Sequence, residues 1–147
     1  MVSIIGLATA TILSVLSLLH LYWAFGGSWG FAASVPTVEG QPLFQTGFWD
    51  TLAVAIALLI AAMICLGTLN YRLPFLPTWI YQIGIWLIAV VFLLRGIGEF
   101  HYLGFFKQVN DSLFAQWDTI LYTPLCFGLA VCCLVLAINT INSGRTL

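Results

Sequence analysis

Four long apolar stretches constrain this chain more than any other feature of its sequence. They cover residues 3–25, 50–69, 78–98 and 118–141, and each is close to the roughly 20 residues that a helix needs to cross a bilayer. Charged residues make up only 6% of the chain, whereas a soluble domain has about a quarter. The sequence therefore predicts an all-α membrane protein, a single domain built as a bundle of four transmembrane helices.

The two longer connections are predicted to lie on the same face of this bundle, because two crossings separate them. The first, residues 21–49, is rich in aromatic residues, glycine and proline, which predicts an aromatic cap at the level of the lipid headgroups. The second, residues 95–118, holds five of the nine charged residues, which are Arg95, Glu99, Lys107, Asp111 and Asp118. Any chemistry is expected where these two connections meet.

The charged residues of this face allow two interpretations. In the first, Asp50 and Asp118 are helix N-caps, Arg95 pairs with Glu99 or an aspartate, and Lys107 meets lipid phosphate. In the second, Arg95 is a buried cation held by carboxylates, and it orients an anionic headgroup or a small acid through bidentate hydrogen bonds.

The two connections also resemble each other, which indicates an internal repeat of a helix–loop–helix unit. Gly30-Phe31 with Val35 matches Gly104-Phe105 with Val109, and Trp49-Asp50-Thr51 matches Trp117-Asp118-Thr119. His20 and His101 precede the two copies. A true repeat would bring both histidines and both aspartates to one face.

Several segments resemble a family of small bacterial membrane proteins catalogued as domain-of-unknown-function family 3995. They are His20-x-Tyr22-Trp23, Val35-Pro36, Arg95-Gly96-x-Gly98-Glu99-Phe100-His101-Tyr102-x-Gly104-Phe105-Phe106-Lys107 and Phe114-x-x-Trp117-Asp118-Thr119-x-x-Tyr122-x-Pro124-Leu125-Cys126. The resemblance implies four spans and a location in the bacterial inner membrane, and it implies no activity.

The leading functional hypothesis is a non-enzymatic membrane protein whose extracytoplasmic face binds a small ligand, a lipid headgroup or a partner subunit. Faces rich in small residues, such as Ala53, Ala57 and Ala61, favour a homo-oligomer or a place in a larger complex. The absence of a basic run argues against nucleic acid as a partner. The candidate binding residues are Arg95, Glu99, His20, His101, Asp50, Asp118, Trp23, Trp49 and Trp117.

Three alternatives remain open, one of them transport by a homodimer built on the face of Ala53, Ala57 and Ala61. A small intramembrane isomerase would use His20 or His101 with Glu99 or Asp50 as acid and base. A haem- or pigment-binding subunit would use the two histidines as axial ligands. No cofactor or metal is predicted, since no ligand pair has the usual metal-binding spacing, and the four cysteines have the pattern of small buried residues.

The orientation follows from the basic residues. Arg72 and Arg145 are predicted on the face of the N-terminus, and Arg95 and Lys107 on the opposite one, so the lysine and arginine count is two against two. The free amine at the N-terminus and the position of Arg95 within a helix favour both termini in the cytoplasm.

Overall fold

The structure is a computed structural model that describes residues 1–38, 41–43, 46–71, 73, 76–108 and 112–144. Four of its helices are long and apolar enough to cross a membrane. The predicted all-α bundle of four transmembrane helices is thereby confirmed. Arg72, Val109, Asp111 and Arg145, which were named above from the sequence, lie outside the described residues.

Three of the spans are single helices: α1 (Val2–Ala24), α3 (Phe48–Thr68) and α4 (Thr78–Ile97). The fourth is continuous from Leu113 and consists of α5 (Leu113–Trp117), a π-helical turn (Asp118–Tyr122) and α6 (Thr123–Gly144). Helices suit these apolar sequences because a spanning segment must satisfy its backbone groups internally.

The first long connection contains the small elements. A short helix, α2 (Phe31–Ser34), precedes two two-residue strands, β1 (Thr37–Val38) and β2 (Gln41–Pro42), which pair antiparallel. No strand was predicted in this segment, where glycines and prolines alternate with apolar residues.

The bundle is organised as two helix pairs, since α1 packs mainly against α3, and α4 mainly against α6. The core between them mixes small and large side chains, including Ala62, Ala89 and Cys65 beside Leu13 and Ile85. A buried hydrogen bond of 2.7 Å from the Ser17 hydroxyl to the Ala55 carbonyl joins α1 to α3. Close helix approach through small residues is typical of membrane bundles.

The sequence predicted that the small residues of α3 form a helix-packing face, and this holds only for the second half of the helix. Ala61 and Cys65 are buried, but Ala53 and Ala57 are exposed, and Ala55 is buried in their place. Positions four residues apart are displaced by about 40° around a helix of 3.6 residues per turn, so a line of four such positions does not stay on one contact face.

Both aspartates were predicted as N-caps, and both lie inside their helices. The fourth span begins five residues before Asp118, because the Ser112 hydroxyl accepts the Ala115 N–H at 3.1 Å and is the true cap. The second begins at Phe48, so Asp50 is its third residue and accepts the Gly47 N–H at 3.0 Å. Asp50 therefore still satisfies a backbone donor at the positive end of the helix.

Residues 25–47 and 98–112 both connect helices at one end of the bundle, which we call the loop face. The first connection contacts the start of the fourth span there, since the Tyr122 hydroxyl in the π-helical turn donates to the Ala33 carbonyl at 3.2 Å. The sequence prediction that they share a face is borne out by this chain path.

Candidate anion-binding site at the loop face

Asp118 is the centre of the candidate site, and its side chain is 0% exposed. Its Oδ1 accepts a hydrogen bond from Arg95 Nη2 at 2.9 Å. Its Oδ2 accepts from the Gly104 backbone N–H at 2.9 Å, from Lys107 Nζ at 3.1 Å and from the Thr123 hydroxyl at 3.2 Å. Four donors thus offset the desolvation of a carboxylate placed within a transmembrane segment.

Two glycines let the second connection fold back onto this carboxylate. Gly98 and Gly104 have φ angles of +83° and +82°, which are unfavourable for residues with a Cβ. A Cβ on Gly104 would lie 2.5 Å from the Gly98 Cα, so neither position has room for a side chain. The Phe105 N–H then donates to the Gly96 carbonyl at 2.9 Å and closes the fold.

The π-helical turn begins at Asp118, where the Thr123 N–H donates to the Asp118 carbonyl five residues back. Pro124 follows directly, and it has no N–H with which to continue the ordinary α-helical ladder. Single π turns of this kind occur often at functional sites. Here the turn carries Asp118 and Thr119, which both accept from Lys107, and Thr123 directly after the turn donates to Asp118.

Within the part of the chain that the structure describes, the cluster has more positive than negative charge. Arg95 and Lys107 each form a salt bridge to Asp118, at 2.9 and 3.1 Å, so two positive charges share one negative charge. The side chain of Lys107 is only 4% exposed, and that of Arg95 is 31% exposed. Arg95 Nη1 is buried and has no hydrogen-bond partner among the described residues. Such a buried donor is costly unless something accepts from it.

A groove of about 510 Å³ lies against this cluster, and we call it the Lys107 groove. Lys107 and Thr119 form its polar edge, and Lys107 Nζ donates to the Thr119 hydroxyl at 2.6 Å. An ammonium group has three donors, so among the described residues one donor of Lys107 remains after Asp118 and Thr119. The remaining lining residues are mostly apolar: Gly104, Phe105, Phe106, Thr123, Pro124 and Phe127.

A second cavity of about 420 Å³ lies in the other helix pair, and we call it the His20 pocket. It is formed where the end of α1, the segment around α2 and the start of α3 meet. Its lining residues are His20, Trp23, Phe31, Ser34, Val35, Thr46, Asp50, Thr51 and Val54.

The structure brings only some of the predicted residues together. Arg95 pairs with Asp118 and, within the described part of the chain, forms no ion pair with Glu99. Glu99 is exposed and accepts the Tyr102 N–H at 3.3 Å. His101 is also exposed and packs its ring edge-on against Tyr102.

The two histidines are separate. His20 lines its own pocket with Asp50 and Trp23, and no described contact joins it to His101 or Glu99. The histidine-based enzyme and haem hypotheses therefore remain predictions.

The two tryptophans of the Trp-Asp-Thr motifs are exposed. Trp49 packs against Phe48. Trp117 precedes the π turn and is 44% exposed.

Sequence reasoning did not name Gly104, Thr119 or Thr123 as parts of the site, and it assigned Lys107 to lipid phosphate rather than to Asp118. One signal was present, since Lys107 is the single lysine of the chain. Among the described residues, no three His, Cys, Asp or Glu side chains form a group that could hold a metal ion.

Comparison with known families identifies the class of this four-span protein. The family described as "Protein of unknown function (DUF3995)" matches residues 13–133. The chain belongs to this family, as its segments indicated, and the match covers both the Asp118 cluster and the His20 pocket. Curated proteins and solved structures give no match.

Proposed function

We propose that this protein binds the phosphate-bearing headgroup of an anionic membrane lipid at the Lys107 groove. Lys107 is the direct partner of the phosphate in this proposal, and Arg95 adds positive charge behind it. The observation that carries the proposal is a buried cluster with two cations and one carboxylate at the edge of an apolar groove.

The charge balance supports an anion as the ligand. Burying a net positive charge is unfavourable unless a further negative group is close. In this proposal Asp118 orients the two cations, and the ligand completes their neutralisation. Lys107 offers its third N–H, and charge-assisted hydrogen bonds to phosphate are among the stronger ones in proteins.

The composition of the groove supports an amphiphile rather than a free ion. Phe105, Phe106, Pro124 and Phe127 offer apolar surface directly beside the charged edge. A phospholipid combines a charged phosphate with hydrocarbon in the same arrangement, and it is the most abundant such molecule next to any bilayer-spanning helix.

Three finer proposals accompany this one. The loop face is extracytoplasmic, with both termini in the cytoplasm of a bacterial inner-membrane protein. The two helix pairs descend from an internal repeat, supported by their common topology and the two Trp-Asp-Thr motifs. A second copy or partner subunit packs on α3, supported by the exposure of Ala53 and Ala57.

The proposal is tested by native mass spectrometry of protein released from bilayers that contain phosphatidylglycerol and phosphatidylcholine. The wild type is expected to retain one phosphatidylglycerol. Lys107→Gln is expected to weaken this retention about 10- to 100-fold, the equivalent of one hydrogen bond to a charged group. Lys107→Arg keeps the positive charge and should retain the lipid. Arg145→Gln, which removes one positive charge elsewhere in the chain, is the control for the effect of net charge on lipid retention. Equal retention by Lys107→Gln and wild type would refute the proposal.

A further inference from the structure

Two ring N–H groups at the His20 pocket donate hydrogen bonds to backbone carbonyls, so they are not available to a ligand. His20 Nδ1 lies 2.8 Å from the Leu16 carbonyl oxygen, which only accepts, so Nδ1 carries the hydrogen in that contact. In the neutral ring, Nε2 is then an acceptor. The Trp23 Nε1–H donates to the Trp29 carbonyl at 2.8 Å, and an indole has no other donor.

The hydroxyl groups of the pocket follow the same pattern. Ser34 donates to the Phe31 carbonyl at 2.8 Å, and Thr51 donates to the Gly47 carbonyl at 3.0 Å. Each hydroxyl has one hydrogen to give and two lone pairs to offer. Only the exposed Thr46 hydroxyl, among the described lining residues, has its hydrogen unassigned.

Asp50 adds a negative charge to this set of acceptors. Its Oδ2 accepts the Gly47 N–H, whereas its Oδ1 receives no hydrogen bond within the described part of the chain. The described residues that line the pocket include no lysine or arginine that would neutralise this carboxylate. A ligand that matches the pocket must therefore donate hydrogen bonds and carry positive charge.

We propose that the His20 pocket binds a primary ammonium group. Such a group has three N–H donors for Asp50 Oδ1, His20 Nε2 and one hydroxyl lone pair. The rings of Trp23 and Phe31, with centroids 6.0 Å apart, form an aromatic wall that suits a cation. This site is independent of the Lys107 groove, which lies in the other helix pair and selects the opposite charge.

The ammonium group has two possible sources, an ethanolamine lipid headgroup or a free small amine, and one experiment separates them. Protein is released for native mass spectrometry from bilayers that contain equal amounts of phosphatidylethanolamine and phosphatidylcholine. Choline is the matched control because its quaternary nitrogen carries the same charge without an N–H donor. In parallel, free ethanolamine is titrated into protein in detergent while tryptophan fluorescence is followed.

Preferential retention of phosphatidylethanolamine supports a headgroup site, and saturable binding of free ethanolamine without lipid preference supports a small-amine site. In either case, Asp50→Asn should weaken binding about tenfold or more, because its remaining oxygen can still accept the Gly47 N–H while the charge is gone. Val54→Trp, which fills the pocket and leaves every polar group in place, should abolish binding. Retention of phosphatidylglycerol should be unchanged in both variants.

The proposal is overturned if choline and ethanolamine ligands bind equally, if neither binds, or if folded Val54→Trp protein binds as the wild type does. Since Val54→Trp leaves the helix cap at Asp50 intact, this second variant keeps the test valid should Asp50→Asn fail to fold.

Discussion

Asp118 shows how one residue can place an ionic cluster inside a membrane protein. A carboxylate in a span is tolerated where it is paired and fully hydrogen-bonded, and Asp118 has two cations, a backbone N–H and a hydroxyl as donors. Removal of its charge would leave Arg95 and Lys107 close together without the carboxylate that pairs with both of them. The cluster therefore depends on this one side chain more than on either cation.

Asp118→Asn is accordingly expected to destabilise the protein by about 3–5 kcal/mol, the typical cost of breaking a buried ion pair on one side. The measurement is denaturant unfolding in mixed micelles. Asp50→Asn is the matched control, since Asp50 is exposed and its described hydrogen bond is to one backbone N–H, that of Gly47. It should cost clearly less. Equal costs for the two variants would show that Asp118 is not the structural centre of the cluster.

At the scale of elements, the loop between α4 and α5 reaches Asp118 only because two glycines permit its path. Gly104→Ala is expected to detach the loop, since the new Cβ would collide with the Gly98 backbone at a positive φ. We expect a lower unfolding temperature together with faster proteolysis of the loop.

Gly128→Ala is the control for this substitution. Gly128 is in α6, and apart from its own helix backbone and chain neighbours no atom of the described residues lies within 4 Å of the position that a Cβ would take there. Alanine should therefore be neutral or stabilise the helix by up to about 1 kcal/mol. A Gly104→Ala variant as stable as Gly128→Ala would contradict the proposed loop path.

The pairing of α1 with α3 rests partly on the Ser17 hydroxyl. Ser17→Ala removes a buried hydrogen bond to the Ala55 carbonyl, and interhelical bonds of this type contribute about 0.6 kcal/mol on average in membrane proteins. Ser14→Ala, at a position where no interhelical hydrogen bond is described, should have a smaller effect. A larger loss of unfolding free energy for Ser14→Ala than for Ser17→Ala would disprove this assignment.

The elements were predictable where local pattern decides them. The site was predictable only in part, since the sequence marked Arg95 and Asp118 as candidates but not the contact of Lys107 with Asp118. Length and hydropathy identified all four spans, because a bilayer imposes a fixed helix length. The start of the fourth span was misplaced, because Ser112 and Asp118 are both good caps and only the wider fold selects between them. The approach of Lys107 to Asp118 depends on positive φ angles at Gly98 and Gly104. The spacing of apolar residues in the sequence does not predict that the loop folds back in this way.

At the scale of the whole molecule, the two helix pairs present opposite chemistry on one face. Among the described residues, the Lys107 groove has more positive than negative charge, and the His20 pocket has hydrogen-bond acceptors and a carboxylate. The paired Trp-Asp-Thr motifs thus have different roles, because Asp118 is buried under a loop whereas Asp50 stays exposed at its helix start. A duplicated unit would in this way have diverged into two sites.

The orientation of this face is open to a direct test. With both termini in the cytoplasm, a fluorescent protein fused after residue 147 should fold and fluoresce in bacterial cells, and an alkaline phosphatase fused there should be inactive. The reverse pattern would place the loop face in the cytoplasm.

The central claim, that Lys107 binds a lipid phosphate, is tested most directly by solid-state NMR. Lys107 is the single lysine of the chain, so labelling lysine with ¹⁵N at Nζ gives one side-chain signal from protein in a phosphatidylglycerol bilayer. We predict dipolar coupling between this nitrogen and lipid ³¹P that corresponds to about 3.5 Å, the separation expected for a direct hydrogen bond to phosphate. A Lys107 signal from folded protein with no coupling to ³¹P would contradict the account.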